Sequence, residues 1–372
     1  MKGIFGGAFN PPHNEHIAMI KESLKAGLEE IIVVPSSNPP HKKCYTSFEH
    51  RRNMLCIALL GIKNVTIDDL ENKDDEVHYS FETIPKLKKI YGDDLVFIMG
   101  GGSLIDFHKW KNPELIIKEC PLWVFNRGND RAKLNEAKSF WEAKGANIKI
   151  LEYEPTAISS TFIRYNIMLG FFDNIDPKVQ KYILDEGLYL DYQPYIAKLS
   201  KIINEHRFYH SLGCAKYALY LNEKHKLNLD NDKVLLAGLL HDCAKGWYEN
   251  NLKDKSMIPQ DCISTPVEHQ FLGAYIANKE FNVMDEDILN AIRYHTTGRA
   301  GMSTLEKLIY SADLLETGRE EEFIIPLREE MDKDFDDGFK NIIKHQWEYL
   351  KSIKKDIYPL TIEATKYYLG EV

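Results

Sequence analysis

Residues 4–16 read Ile4-Phe5-Gly6-Gly7-Ala8-Phe9-Asn10-Pro11-Pro12-His13-Asn14-Glu15-His16. A short apolar run, a glycine pair and a polar stretch with two histidines form the pattern of a strand, a tight turn and a helix start. Gly6 and Gly7 let backbone N–H groups come close to a ligand, and the helix N-terminus behind them adds partial positive charge. His13 and His16 are three positions apart, so they share a face if the helix begins near them. Turn, dipole and imidazoles together predict a nucleotide-phosphate site at the end of the first strand.

Outward from this stretch, short apolar runs alternate with helical patterns. Strands are expected at 3–5, 31–34, 65–68, 95–99, 122–125 and 148–151, with helices at 17–26, 48–60, 81–91 and 132–144 between them. This βαβ alternation predicts an α/β, Rossmann-like, doubly wound parallel sheet whose ligands bind at the carboxyl ends of its strands. Beyond about residue 187 strand-like runs nearly vanish. Residues 189–195, with Pro194, read as a linker. Helices are then expected at 196–204, 211–225, 233–245, 271–281, 285–294, 304–316 and 336–353. The expectation is two domains, 1–190 and 191–372, the second all-α. A chain of 372 residues supports two cores.

A net charge of −9 disfavours broad nucleic-acid binding. The six cysteines are dispersed, with no CxxC pair, which fits reduced thiols. A strand follows Met1 with no charged-then-apolar leader, and no apolar run suits a bilayer span. The expectation is a cytoplasmic protein with no membrane or nucleic-acid partner; a homo-oligomer is left open.

The opening segment resembles the GGTFDPxHxGH signature of the HxGH nucleotidyltransferase superfamily. Four further stretches in order narrow the resemblance to bacterial nicotinate-nucleotide adenylyltransferase. Asn38-Pro39-Pro40-His41-Lys42 is similar to its PPHK loop, and Tyr79-Ser80-Phe81-Glu82-Thr83 to its SYT-type segment. Residues 97–110 are similar to the strand and loop ending in a substrate-facing tryptophan, and Ile158-Ser159-Ser160-Thr161-Phe162-Ile163-Arg164 to its ISSTxIR motif. The resemblance, over residues 1–190, implies transfer of AMP from ATP to nicotinate mononucleotide with release of pyrophosphate, Mg²⁺ arriving with ATP. It implies that His13 and His16 contact the ATP phosphates, with Gly6, Gly7, Ala8, Phe9, Ser160, Thr161 and Arg164 completing the ATP site. Lys42 would hold the mononucleotide phosphate, Trp110 would stack on the pyridine ring, and Tyr79 and Ser80 would line its pocket. Such a reaction needs alignment and charge neutralisation rather than a covalent intermediate. The chain departs from the family pattern at Ala8, Asn10, Glu15 and Gly102. Glu15 is expected to put a negative charge beside the phosphates, and Gly102 to lack a ribose-binding carboxylate. The alternative is a first domain that only binds nucleotide and regulates the second; an acceptor other than nicotinate mononucleotide, such as phosphopantetheine, is a further alternative.

In the helical half, His210, the doublet His241-Asp242, His269, His295 and Asp313 fall on or beside successive predicted helices. Single ligands on several helices can converge in a bundle core. Nitrogen and carboxylate donors without thiolate suit a catalytic iron, manganese or zinc site, and Asp242 is placed to bridge two ions. These residues, with Lys245, Glu268 and the run Tyr294-His295-Thr296-Thr297-Gly298-Arg299, resemble the HD phosphohydrolase superfamily, in particular its symmetrical diadenosine tetraphosphate hydrolase branch. The resemblance implies a di-metal centre on all six ligands, iron first with manganese or zinc as alternatives, and cleavage of diadenosine tetraphosphate into two ADP. Lys245 and Arg299, and with them Arg207, are the expected phosphate clamps. An alarmone or cyclic dinucleotide is the rival substrate. His206, His225 and His345 read as core or surface histidines, 319–322 as a solvated acidic run, and 285–287 as a helix start.

Overall fold

The computed structural model describes residues 1–372 apart from 39–45, 73–76, 127–130, 152, 154–158, 247, 249, 250, 252, 354–356, 371 and 372. The chain divides into two compact units, Met1–Ile167 with Phe172–Tyr189, and Met168–Phe171 with Leu190–Val372.

The first unit holds a six-stranded parallel sheet: β1 (Lys2–Gly7), β2 (Glu30–Pro35), β3 (Val65–Ile67), β4 (Leu95–Gly100), β5 (Leu122–Phe125) and β6 (Ile148–Leu151). Their order is β3-β2-β1-β4-β5-β6, so the winding reverses between β1 and β4, where a crevice opens at the strand ends. All six expected strands are present. Their apolar runs are continuous because both faces are covered: Ile4, Ile32, Phe97 and Val124 pack into one core, and Phe5, Val33, Ile98 and Phe125 into the other. The crevice is bordered by α1 (Asn14–Lys25), α3 (Ser80–Tyr91), the short α4 (Gly101–Ile105) and α7 (Ser160–Met168). Helix α2 (Phe48–Ala58) follows β2.

The second unit is helical, as expected. The helices that carry or lead directly to the candidate ligands are Glu205–Lys224, Asn231–Leu240, Glu268–Phe281, Glu286–Arg293 and Thr304–Leu315. Sequence-local caps set their starts: Asn204 accepts from the Arg207 N–H, Asp285 from Asp287 and Ile288, and Ser303 forms a capping box with Glu306. Gly238 lets the first two helices approach closely, since an added Cβ would lie 2.7 Å from the Ala215 Cα. Two expectations are corrected. Pro194 lies in the first turn of a helix, Gln193–Ile202, rather than in a linker. Helices at Pro113–Glu119, Pro177–Asp185, Ile324–Lys333 and Pro359–Leu369 were not expected.

Candidate functional sites

In the first unit the chain leaves β1 at Gly7 and turns sharply through Phe9, whose φ is 47°. The Phe9 ring packs under Gly7, where an added Cβ would meet it at 3.1 Å. His13 is the N-cap of α1 and His16 its third residue; their rings lie 3.7 Å apart between centroids. The His13 backbone N–H donates to His16 Nδ1 at 3.3 Å. A neutral His16 therefore carries its proton on Nε2.

Two cavities meet on this turn. The larger, about 520 Å³, is lined by Gly6, Gly7, Ala8, Phe9, His16, Gly102, Ser160, Thr161 and Arg164 among others. The smaller, about 200 Å³, is lined by Glu71, His78, Tyr79, Ser80, Thr83 and Lys111 among others. Gly6, Gly7, Ala8, Phe97 and Trp110 face both. Residues far apart in sequence thus converge on two adjoining compartments, one against His16 and the ISSTxIR helix, the other against Tyr79 and Trp110. Trp110 is held edge-on by Phe107 and Phe97, at 5.2 and 6.2 Å between centroids. His13 is buried and lines neither cavity. Lys42, with the PPHK reading, lies outside the described residues.

Sequence reasoning missed Arg51. This arginine on α2 is 1% exposed and donates to four carbonyls: Ala8 at 2.6 Å, Ser36 at 2.7 Å, Ser37 at 2.9 Å and Thr46 at 3.2 Å. It ties the glycine turn to the segment after β2. The departures also take definite places. Asn10 Oδ1 accepts from the Tyr189 hydroxyl at 2.7 Å, and its carbonyl accepts from Arg164 at 2.7 Å. Glu15 accepts from the Tyr153 hydroxyl at 3.3 Å and lines neither cavity. Gly102 lines the larger cavity, and a Cβ there would meet nothing within 4 Å.

In the second unit all six expected ligands converge. Three overlapping groups place ligand atoms within 4.8 Å of one another: His210, His241 and Asp242; His241, His295 and Asp313; Asp242, His269 and His295. Around one position, His210 Nε2 lies 3.2 Å from His241 Nε2 and 2.9 Å from Asp313 Oδ1. Around the other, His269 Nε2 lies 3.2 Å from His295 Nε2, with Asp242 Oδ1 at 3.6 and 3.4 Å from them. Asp242 Oδ2 faces His241 at 3.7 Å, so this one carboxylate spans both positions.

The rings are aimed by what lies behind them. Nδ1 of His241, His269 and His295 is 2.7, 2.8 and 2.7 Å from the carbonyls of Gly238, Pro266 and Ile292. Donation there puts each lone pair on Nε2. His210 Nδ1 is backed by Glu316 at 3.2 Å. Nε2 of His269 and Nε2 of His295 then face each other at 3.2 Å, with the Thr296 hydroxyl 3.0 Å from His269 Nε2. That spacing suits two nitrogens each about 2.1 Å from one ion. The donor set fits divalent metal. Burial pulls the His241 and His269 values down, well down for His269, which favours the neutral, ligating form. Burial alone would raise the Asp242 and Asp313 carboxyls, but the histidines around both, and Lys245 beside Asp242, hold them well below the usual carboxylate range.

Among the described residues, three cations stand on the carboxylates of this centre. Arg207 is 2.8 Å from Asp242 Oδ2, Lys245 is 3.0 Å from Asp242 Oδ1, and Arg319 is 3.3 Å from Asp313 Oδ1. Arg207 and Lys245 also line a cavity of about 320 Å³ that reaches His269. Arg299, expected as a clamp, is instead gripped by Glu306 in a fork of 2.7 and 2.9 Å. Arg319, expected in a solvated run, takes a place at the centre.

The fold and the two sites define an α/β nucleotide-binding unit of the switch-point type joined to a helical unit with a histidine–aspartate metal centre. Residues 4–166 match the Cytidylyltransferase-like family model and residues 207–318 the HD domain model. The chain is 38% identical over 197 residues to a Clostridium acetobutylicum protein named probable nicotinate-nucleotide adenylyltransferase, covering 51% of this chain and 98% of that one. It is 33% identical over 171 residues to the symmetrical bis(5'-nucleosyl)-tetraphosphatase of Bacillus subtilis, covering 45% of this chain and 91% of that one. A Mycoplasma genitalium protein named probable nicotinate-nucleotide adenylyltransferase/Ap4A hydrolase is 28% identical over 325 residues, covering 86% of this chain and 88% of that one. The chain belongs to the nicotinate-nucleotide adenylyltransferase family through its N-terminal unit and to the HD symmetrical bis(5'-nucleosyl)-tetraphosphatase family through its C-terminal unit.

Proposed function

We propose that residues 1–190 transfer AMP from ATP to nicotinate mononucleotide, and that residues 191–372 hydrolyse diadenosine tetraphosphate to two ADP in a metal-dependent reaction. For the first reaction, the observation that supports this most is the pair of cavities sharing the Gly6–Gly7 turn. ATP occupies the larger, against His16, Ser160, Thr161 and Arg164; the mononucleotide occupies the smaller, with its pyridine ring on Trp110, and Lys42 holds its phosphate. The phosphate oxygen of the mononucleotide attacks the α-phosphorus of ATP at the shared wall, and pyrophosphate leaves. His16 Nε2–H donates to a phosphate oxygen as negative charge grows there, backbone N–H groups of the turn do the same, and Arg164 holds the leaving pyrophosphate. His13 sets the His16 ring rather than touching the phosphates. Mg²⁺ accompanies ATP as part of the substrate.

For the second reaction, His210, His241, Asp242, His269, His295 and Asp313 would hold two divalent ions, iron first, the Asp242 carboxylate facing both groups of histidines. What such ions supply is activation of water and neutralisation of phosphate charge. Arg207 and Lys245 orient the polyphosphate over the centre. Both activities belong to a cytoplasmic protein in this reading. One incubation with ATP, nicotinate mononucleotide, Mg²⁺ and Mn²⁺, followed by mass identification of the products, tests the first half. Added diadenosine tetraphosphate tests the second. Nicotinate adenine dinucleotide and ADP are the expected products, and the absence of either removes that half of the proposal.

A further inference from the structure

We propose that Arg319 is a substrate-binding residue that fixes which phosphate bridge of a dinucleoside tetraphosphate is cut. This rests on the reading of the C-terminal site as a symmetric hydrolase. The three cations at the centre are spread along it rather than grouped. Lys245 stands on Asp242 Oδ1, the oxygen that faces His269 and His295, while Arg207 stands on Oδ2, which faces His241. Arg319 stands on Asp313, whose Oδ1 faces His210 and His241 at 2.9 and 3.6 Å. The positive charge therefore runs past both candidate ion positions, with Lys245 at one end and Arg319 at the other. A linear polyphosphate cut in its middle needs a hold on each side of the reacting phosphorus; Lys245 and Arg207 both stand on Asp242, and Arg319 is the cation that stands on Asp313.

Arg319 is also built to hold a fixed place. Arg328 donates to the carbonyls of Leu315 and Arg319, each at 2.8 Å, and to that of Glu316 at 2.5 Å. The Gly318 N–H donates to Glu316 Oε2 at 2.6 Å. The loop that carries Arg319 is thus clamped from behind, while its side chain is 31% exposed and can reach a ligand. A planar guanidinium in a fixed position suits a bridging phosphate.

In the symmetric cut, water adds to the second phosphorus of one adenosine. The oxygen bridging the second and third phosphorus leaves with the other half, giving two ADP. A cut one bridge away gives AMP and ATP. The test uses the full chain loaded with Mn²⁺, wild type against R319Q and R319K. The measurements are metal content, KM and kcat, and the nucleotide products from diadenosine tetraphosphate. R319Q should keep its metal, raise KM by about ten- to a hundredfold, and release AMP and ATP beside ADP. R319K should lie between R319Q and wild type. Unchanged KM and ADP alone from R319Q overturn the inference, and so does loss of metal, which would make Arg319 a support for Asp313. Should R319Q fail to fold, R319K carries the test, and a wild-type KM there overturns the inference. If the wild type itself releases no ADP, the reading of the site fails, and that failure is seen before any variant is compared.

Discussion

The backbone N–H of His13 points at Nδ1 of His16 from 3.3 Å, and the two rings lie 3.7 Å apart. The sequence puts both on the ATP phosphates, with His16 the stronger candidate for stabilising the transition state. His13 is the N-cap of the helix and its backbone N–H sets the tautomer of its neighbour, while His16 lines the larger cavity. Replacing His16 by Ala should lower kcat for adenylyl transfer by about 10²–10³, the usual cost of one donor to developing oxyanion charge. Diadenosine tetraphosphate hydrolysis by the same preparation should be unchanged. A pyrophosphate-release assay run beside an ADP assay checks both.

Arg51 makes a second prediction, because one of its four carbonyl acceptors, Ala8, lies in the glycine turn and the other three, Ser36, Ser37 and Thr46, follow β2. Methionine fills a similar volume and donates nothing, so R51M leaves buried acceptors unsatisfied. The expected loss is about 3 kcal/mol, since each such group costs on the order of 1–3 kcal/mol. Urea denaturation followed through the tryptophans should show it. Turnover measured below the transition should also fall, because the Ala8 carbonyl is no longer fixed at the shared wall of the cavities. An unchanged midpoint would remove Arg51 from this role.

Much of this architecture is legible in the sequence, and the parts that are not share a cause. The six strands announce themselves as apolar runs, and the six metal ligands as rare residue types on successive helices. Arg51, Glu316, Arg319 and Arg328 give no such signal, because their partners are carbonyls, a carboxylate or, for Glu316, the His210 ring, which only the fold brings near. The unexpected helices at 113–119, 177–185 and 359–369, and the helix expected from 196 that begins instead at Gln193, all carry proline in their first turn. Proline there is tolerated and even favoured, whereas scanning for breakers reads it as a stop. Of the departures, Asn10 and Glu15 are engaged by Tyr189 and Tyr153.

Gly238 supplies a third prediction. An added Cβ would meet the Ala215 Cα at 2.7 Å and its N at 3.0 Å, and backbone atoms cannot step aside as a side chain end can. G238A should push apart the helices that carry His210 and lead to His241. The expected cost is roughly 1–3 kcal/mol of stability, together with weaker metal retention. Thermal denaturation with and without Mn²⁺ separates the two effects: the metal-induced rise in Tm should shrink, not only the baseline Tm.

Glu316 tests the shell behind the ligands. It sits 3.2 Å from His210 Nδ1 and is packed against Gly213, where a Cβ would lie 2.5 Å from its carboxylate. E316Q keeps the shape but weakens the acceptor that makes His210 a better ligand. Metal affinity should fall by about 10–100-fold, the range seen when such supporting groups are changed. Equilibrium dialysis against Mn²⁺ reads it directly, and an affinity equal to wild type would exclude Glu316 from this part.

The pH dependence of the metal-free protein and of metal loading should run in opposite directions through His210. Burial pushes its value down, but hydrogen bonds to Asp313 and Glu316 more than reverse this and raise it from 6.5 to about 9. A histidine raised on folding stabilises the metal-free protein fully below about pH 6.5, and that contribution disappears as pH rises through about 9. Metal must displace the same proton, so its apparent affinity should climb by about tenfold per pH unit across this window, with one proton released from this group. Metal-free Tm should therefore decline between pH 6.5 and 9 while the increment in Tm on adding Mn²⁺ grows. In H210Q the proton-linked part of both trends should vanish. Calorimetric titration with Mn²⁺ in two buffers of different ionisation enthalpy measures the proton release, and identical heats in the two buffers at pH 7 would show that His210 is already neutral before metal binds.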